Sequence, residues 1–284
     1  MTAFIARNLK VFFRDRASVF FSLLAVLIII ALYVLFLGDV WASGLPDSPA
    51  AKTLMDSWIM AGLLAVTSMT TIMGAFGTIV DDRVHKISKD FSAAPIGKGK
   101  IAGGYILSSF IIGFIMTLLI FVLAEIYIVS RGGAWLGFAV TLKVLAIIVL
   151  CCLCNTAMLS FLVSFFKSQN AFGTASSIIG TLIGFLTGIY LPIGMLPQAV
   201  QFFIKIFPVS HAALLLRQVM METPMQVVFQ GAPAEVLAGF EREMGVVFQF
   251  GGQTMQAFGS ILLLTGAALL FYLLSVTRFA KKSK

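Results

Sequence analysis

The chain has 284 residues, of which 60% are hydrophobic and 11% charged, and its formal net charge is +8. Soluble domains contain roughly 25% charged residues, so this composition excludes an ordinary soluble protein. A mean hydropathy of +1.02 indicates an integral membrane protein instead. A helix of about 20 apolar residues crosses a bilayer. Six apolar runs predict an all-α membrane fold, at about 19–38, 58–80, 104–129, 136–165, 171–191 and 256–277.

The distribution of basic residues predicts the orientation. If both termini lie in the cytoplasm, 14 of the 20 Lys and Arg residues fall on the inner side, as the excess of basic residues in cytoplasmic loops requires. We therefore expect a single domain, 1–284, that crosses the plasma membrane of a bacterium six times. The positive charge then reflects topology and anionic lipid headgroups, and no nucleic-acid partner is expected.

The segment 2–18 has the pattern of an amphipathic helix on the inner membrane surface. At 100° per residue its basic side chains and its apolar side chains fall on opposite sides. The basic side carries Arg7, Lys10 and Arg14. This pattern is typical of an interfacial helix that faces headgroups or a cytosolic partner, and simple positive-inside anchoring explains the charges equally well.

The loop 81–100 connects spans two and three on the inner side of the membrane and is the one substantial polar loop there. It carries five basic and three acidic residues between two strongly apolar spans. A charged, proline-containing loop in this position indicates a site where a cytosolic partner binds.

Spans two and five carry small and hydroxylated residues that a lipid-facing helix does not need. Span two contains Thr70, Gly74 and Thr78, and span five repeats a small residue every four positions, at Ser176, Gly180, Gly184 and Gly188. Such surfaces suit close helix contact or a path for varied ligands. The contact could be with another span of this chain or with a second copy.

The segment 192–255 lies outside the cell in this topology. Pro192 and Pro197 open it, and helices are expected at 197–207 and at 208–222, the latter with Ser210 as a candidate N-cap. Because both are too short to span and too apolar for water, we expect them to lie at the outer membrane boundary. A small amphipathic helix is expected near 233–244.

Motifs for catalysis, phosphate binding and metal binding are missing from the sequence. It contains no Gly-x-x-x-x-Gly-Lys-Ser/Thr loop, no His-Glu-x-x-His and no Gly-x-Ser-x-Gly, so we expect no catalytic residue, cofactor or metal in the chain.

Cys151, Cys152 and Cys154 stand inside span four, where small packing residues are the simpler interpretation. Two charges, Glu125 and Lys143, stand within apolar runs, where pairing, snorkelling and a role in substrate passage all remain open.

Several motifs, in this order and on these sides of the membrane, resemble type-2 ATP-binding-cassette (ABC-2) exporter permeases. They are Ala6–Arg16 before span one, Asp81-Asp82-Arg83, Lys89-Asp90-Phe91 and Ala94-Pro95-Ile96 after span two, Ile101–Tyr105 at span three, and Leu191–Pro197 with Pro208 and Arg217 beyond it. The resemblance covers nearly the full length of the chain.

The resemblance implies partners that the chain's own residues do not reveal. Such permeases pair with a second copy or a related subunit, and each pair binds two separate ATPase subunits that carry the ATP and Mg²⁺. The segment 2–18 would be the connecting helix and the loop 81–100 would contain the coupling helix. The ATPase contact would comprise Arg7, Arg14, Arg83, His85, Lys86, Lys89, Asp90 and Phe91.

The same resemblance assigns further roles along the chain. Spans two and five would flank the translocation path, and spans one and five would contribute to the dimer contact. The segment between spans five and six would form an outer re-entrant helical hairpin, with Pro192 and Pro197 in the outer gate. The chain departs from the family at Val84 and Lys86, where the family often has an acidic residue and a glycine.

Three function classes follow. We expect the membrane subunit of an ATP-driven exporter of an amphiphilic substrate, such as a drug, lipid, lipid-linked glycan or peptide. An ion-coupled secondary transporter is favoured by Glu125 and Lys143 but disfavoured because the two halves show no repeat. A non-transporting anchor or sensor for a cytosolic partner is the third class.

Overall fold

A computed structural model describes residues 1–33, 44–45, 48–87, 91 and 97–281 of the chain. Its helices are α1 Thr2–Arg14, α2 Arg16–Leu32, α3 Pro49–Val84, α4 Lys98–Ser130, α5 Phe138–Val163, α6 Gln169–Leu186, α7 Gln198–Ile206, α8 Pro208–Met220, α9 Glu222–Val228, α10 Ala234–Glu243 and α11 Ala257–Lys281. A 3₁₀ turn, Ile193–Met195, precedes α7, and two short antiparallel strands, β1 Gln249–Phe250 and β2 Gln253–Thr254, precede α11.

Four of the described helices, α3, α4, α5 and α11, are long and apolar enough to cross a bilayer. The pairs α1–α2 and α7–α8 meet the same requirement together, with bends of 73° and 86°. Four to six candidate spans support the predicted all-helical membrane fold. The predicted fifth span forms a helix, α6, but it is not among these candidates, because Gln169 and Asn170 in its first turn lower the mean hydropathy of its 18 residues.

Two helix boundaries differ from the predictions in an informative way. The predicted helix 2–18 ends at Arg14, because Asp15 leaves the helical conformation and the chain turns into α2. The helix predicted at 58–80 is longer and runs from Pro49 to Val84. Pro49 suits the first helical position, and the Ser48 side chain caps the helix by accepting a hydrogen bond from the Ala51 amide. The end of the predicted first span, 34–38, lies outside the described residues.

Helix α3 lies at the centre of the molecule, and 89% of its most apolar 18-residue window is buried. Helices α2, α4, α5, α6 and α8 all pack against it. Polar residues are tolerated inside it because their hydroxyl groups bond to their own helix. The Thr67 hydroxyl donates to the Leu63 carbonyl at 2.7 Å, and the Thr71 hydroxyl donates to the Thr67 carbonyl at 2.6 Å.

A polar cluster joins α3 to α5. The Asn155 amide donates to the Ser68 hydroxyl at 2.7 Å, and Cys151 Sγ lies 3.0 Å from the same hydroxyl. Cys152 and Cys154 are also buried. The three cysteines thus lie in the buried interior of the helix bundle, where small residues allow close helix packing.

The segment after α6 forms the helices that its sequence predicts. Helices α7 and α8 correspond to the predicted 197–207 and 208–222, and α10 corresponds to 233–244. The expected N-cap at Ser210 is wrong, because Pro208 already lies in the first turn of α8. The Ser210 hydroxyl instead donates to the Ile204 carbonyl at 2.6 Å and ties α8 to α7.

Candidate functional site

A buried carboxylate holds together one end of the molecule, where α3 ends and α4 begins beside α1. We call this the α1 end. Asp82 is 2% exposed, and Arg7 Nη1 and Nη2 donate to its Oδ2 and Oδ1 at 2.6 and 2.8 Å. The Tyr105 hydroxyl donates to the same carboxylate. Bidentate, charge-assisted pairs are among the strongest hydrogen-bonding arrangements in proteins. This Asp82 clasp (Arg7, Asp82, Tyr105) therefore joins α1, α3 and α4.

Aromatic rings and a neutral hydrogen bond reinforce the Asp82 clasp. The Phe4 ring lies edge-on to Tyr105 and to Phe91, with ring centroids 4.9 and 5.0 Å apart. The Asn8 amide donates to the Ser108 hydroxyl of α4 at 3.1 Å. Phe91, which belongs to the predicted coupling loop, is thus packed against α1.

Arg83 is also engaged within the chain. Its Nη1 donates to the Val163 carbonyl at 3.2 Å, at the C-terminus of α5. The last carbonyls of a helix have no partner inside the helix, and a cation there interacts favourably with the helix dipole. Of the eight predicted ATPase contacts, Arg7 and Arg83 therefore stabilise the α1 end from within.

Other predicted contact residues remain on the surface of the α1 end. Arg14, His85 and Lys86 are exposed, whereas Lys89 and Asp90 lie outside the described residues. Lys86 has a φ of 64°, a left-handed conformation that it shares with no other non-glycine residue in the described part of the chain. Glycine adopts this conformation without steric cost, so the backbone at this position suits glycine, whereas the chain carries lysine.

A cavity of about 420 Å³ lies between the α1–α2 bend, α3 and α6. Five of the residues predicted to flank the path line this one cavity, namely Thr70, Gly74 and Thr78 from α3 and Ser176 and Gly180 from α6. The structure thus brings the small residues of the two helices face to face.

The wall of this cavity is apolar and hydroxylated, with acidic groups. The hydroxyl groups of Thr70 and Ser176 donate to carbonyls of their own helices, so their oxygens can accept a hydrogen bond from a ligand. Asp15 and Asp81 also line the cavity, and none of the described lining residues is Lys or Arg. Chemically, the cavity can hold an amphiphilic molecule by apolar contact and by accepting its hydrogen bonds.

The small-residue stripe of α6 divides into two parts. Ser176 and Gly180 line the cavity, whereas Gly184 and Gly188 do not. A side chain at position 184 would overlap the Tyr190 ring. Gly188 has a φ of +67° and turns the chain at the end of α6. These two glycines therefore serve packing and turning within the chain.

The opposite end of the bundle contains the α4–α5 turn, and we call it the hairpin end. Pro192 and Pro197 flank the 3₁₀ turn here, with Pro192 buried and Pro197 exposed. Helix α10 covers this turn so closely that a Cβ atom on Gly194 would lie 2.6 Å from Glu243 Cα.

Arg217 of α8 lies at the hairpin end. The sequence places it among the residues that carry the family resemblance but predicts no role for it. It is 0% exposed, and its guanidinium lies 4.6 Å from the Trp58 ring centroid. Its nitrogens have no hydrogen-bond partner among the described residues. Trp58 Nε1 in turn donates to the Met244 carbonyl at 2.7 Å. Arg217 and Trp58 therefore join α3, α8 and the segment after α10.

Asp82 and Tyr105 were missed as site residues, although both stand in the motifs that carry the family resemblance. The sequence does contain a signal for this contact, namely an acidic residue at the end of span two and basic residues on one face of the amphipathic segment 2–18. That signal does not say which of several arginines and aspartates meet, because the partners are 75 positions apart.

Comparisons with known proteins identify the family. The sequence model of the ABC-2 type transporter family matches residues 1–221, a range that includes the Asp82 clasp and the cavity. The chain is 27% identical over 197 residues to the linearmycin resistance permease protein LnrN of Bacillus subtilis (strain 168). That alignment covers 69% of this chain and 47% of LnrN, so the chain spans about half the length of this relative. The chain therefore belongs to the ABC-2 type transporter family and is a permease, the membrane subunit of an ABC transporter.

Proposed function

We propose that this permease exports amphiphilic molecules across the plasma membrane of a bacterium, driven by ATP that separate ATPase subunits hydrolyse. The Asp82 clasp carries the proposal, because it joins α1 to the end of α3 and the start of α4 beside the cavity. In the proposed assembly the α1 end and both chain termini lie in the cytoplasm. Two ATPase subunits, with their ATP and Mg²⁺, dock there.

The docking surface in this proposal consists of exposed residues at the α1 end. Arg14, His85 and Lys86 provide side chains on that surface, together with Lys89 and Asp90. Arg7 and Arg83 stabilise the conformation of this surface through their hydrogen bonds within the chain. A conformational change of the ATPase then displaces α1, α3 and α4 together as a rigid body.

The translocation path in this proposal begins at the cavity between α3 and α6. Its apolar wall and its hydrogen-bond acceptors favour an amphiphile over a small inorganic ion. The name of LnrN links that relative to linearmycin resistance, and for this chain we extend the idea to drug-like cargo. The 3₁₀ turn between Pro192 and Pro197, covered by α10, forms the outer gate.

A second permease completes the path in this proposal. Exposed apolar side chains on α2 and α6, such as Phe20, Phe21, Ile178 and Leu182, form a face that a second copy or a related permease covers. Since the cavity lies between these same helices, the partner closes its open side.

Charge reversal tests the docking surface. The variant Arg14→Glu with Lys86→Glu places negative charge on two exposed positions while leaving the Asp82 clasp intact. Because like charges across an interface cost several kcal/mol, we expect binding of the ATPase partner to weaken at least about tenfold. Co-purification of the ATPase and ATP-dependent transport in inside-out vesicles are the measurements.

The matched control is Arg242→Glu, which reverses an exposed charge at the hairpin end and should leave binding of the ATPase unchanged. Undiminished ATPase binding by the double variant would contradict the docking surface. Transport that persists without ATP but with a proton gradient would instead favour an ion-coupled carrier. Vesicles that contain both subunits and ATP but move no substrate would favour a membrane anchor.

A further inference from the structure

A second cavity, of about 320 Å³, lies at the hairpin end. The start of α3, the end of α4, the α4–α5 turn and the start of α9 enclose it. Its lining residues include Thr53, Ser57, Glu125, Trp135 and Thr223, with apolar side chains around them. Nothing in the proposed export cycle uses this cavity.

Glu125 is a buried acid in the wall of this cavity, and its side chain is only partly satisfied. The residue is 7% exposed. Its Oε2 accepts a hydrogen bond from the Leu136 amide at 3.1 Å, which fastens the α4–α5 turn. Its Oε1 is buried and has no hydrogen-bond partner among the described residues. A buried acceptor without a partner is destabilising, more so when it is charged.

The part of the chain that the structure describes supplies no positive partner for this carboxylate. The positions of Glu125 and Lys143 in the sequence are compatible with an ion pair, but Lys143 is exposed and the two described side chains form no such pair. Arg131, which follows α4, pairs with Asp56 at 3.5 Å instead. None of the described residues that line the cavity is Lys or Arg. A positive charge at this carboxylate would therefore come from outside the described residues.

The other groups in the wall indicate what kind of ligand fits. The hydroxyl groups of Thr53, Ser57 and Thr223 and the carboxylate of Glu125 can accept hydrogen bonds. Trp135, which is 62% exposed, offers an aromatic face at the rim, and such faces attract cations. Ile128, Leu136 and Pro224 give the cavity an apolar side. We propose that this cavity binds the protonated primary amine of an amphiphile, with Glu125 accepting its hydrogen bond.

The ammonium group could belong to the headgroup of phosphatidylethanolamine or to an amine-bearing cargo molecule. The chemistry at Glu125 is the same for both. Binding at this site needs neither ATP nor an ATPase, so it can be tested whether or not the proposed export function is correct.

The test compares two probes with the full-length permease in phosphatidylcholine nanodiscs. Dodecylamine carries N–H donors, whereas dodecyltrimethylammonium carries the same charge and chain without a donor. We expect calorimetric titration to show dodecylamine binding about tenfold more tightly than the trimethyl compound. Glu125→Gln should remove that preference.

Glu222→Gln is the matched control, because Glu222 is exposed next to the lining residue Thr223. It removes the same charge from the surface and should keep the preference. If Glu125→Gln does not fold, Ala134→Phe fills the cavity from its exposed turn and should weaken dodecylamine binding by a similar factor. Wild-type protein that binds both probes equally, or a Glu125→Gln variant that keeps the preference, would overturn the proposal.

A second arm identifies the source of the amine. The dodecylamine titration is repeated in nanodiscs that contain phosphatidylethanolamine. Competition that disappears in Glu125→Gln supports the site with a lipid headgroup as its occupant. Unchanged dodecylamine binding supports the site with an amine-bearing cargo as its occupant.

Discussion

At the residue scale, Asp82 shows how a buried charge can specify an arrangement of helices. Its carboxylate accepts hydrogen bonds from Arg7 of α1 and Tyr105 of α4, so a single side chain determines where both helices meet α3. A buried pair contributes little net stability compared with apolar residues, but removing one partner leaves an uncompensated charge. The clasp therefore makes the arrangement of the α1 end specific.

Removal of one partner of the Asp82 clasp should be costly. In Arg7→Gln, the Asp82 charge keeps only the Tyr105 hydroxyl, and we expect destabilisation of about 3 kcal/mol. In a chain of this size, this lowers the melting temperature in detergent by at least about 5 °C. The double variant Arg7→Gln with Asp82→Asn should recover part of the loss. Arg14→Gln, exposed on the same helix, should change little, and an equal loss in this control would contradict a specific clasp.

At the element scale, the central observation is that α3 and α6 present their small residues to the same cavity. Thr70, Gly74 and Thr78 face Ser176 and Gly180 across about 420 Å³. Large side chains here would fill the space, which gives the small residues a role beyond helix packing. The other two glycines of the α6 stripe have different roles. Gly184 makes room for the Tyr190 ring, and Gly188 adopts the positive φ of the turn that ends the helix.

A filled cavity should stop transport without disturbing assembly. Ser176→Phe places an aromatic ring between α3 and α6, and we expect transport in vesicles to fall at least about tenfold because the cargo loses its binding space. Co-purification of the ATPase should persist, since the α1 end is unchanged. Ser177→Phe is the control, because Ser177 is exposed and does not line the cavity. Full transport by Ser176→Phe would exclude this cavity from the path.

At the scale of the whole molecule, α3 connects the two ends. It has 36 residues, or about 54 Å at 1.5 Å per residue. Near its end it carries Asp82, along its middle it lines the cavity, and near its start Trp58 contacts Arg217 and Met244. A displacement at the α1 end therefore reaches the hairpin end through one continuous helix, which we propose couples docking to the outer gate.

A reversible cross-link tests whether the outer gate must open. The ideal Cβ position at Gly194 lies 3.2 Å from Glu243 Cβ and 2.6 Å from Glu243 Cα, so α10 must shift slightly away from the turn to reach the Cβ separation of about 3.8 Å that a disulfide has. Gly194→Cys with Glu243→Cys should therefore lock α10 onto the 3₁₀ turn when oxidised. We expect ATP-driven transport to be lost on oxidation and restored by reductant. The native cysteines are buried, and each single variant serves as a control. Normal transport by the cross-linked protein would contradict a gate at this position.

Features that depend on local composition and periodicity could be predicted from the amino-acid sequence. Apolar runs identified helices α2 to α6 and α11, although α3 begins at Pro49 instead of 58, and proline positions identified α7 and α8. The order of weak motifs around Asp82 and Pro192 indicated the family that the match over residues 1–221 confirms. These features are readable because each depends on neighbouring residues in the chain.

Contacts between groups that lie far apart in the sequence could not be predicted and are seen in the folded structure. In the folded structure Arg7 pairs with Asp82, and Arg83 donates a hydrogen bond to the C-terminus of α5. Oε1 of Glu125 has no hydrogen-bond partner among the described residues. The structure also separates Gly184 and Gly188 from the cavity that Ser176 and Gly180 line. The physical reason is that a helical period determines the face on which a residue lies, whereas the partner of that face depends on how helices far apart in sequence pack together.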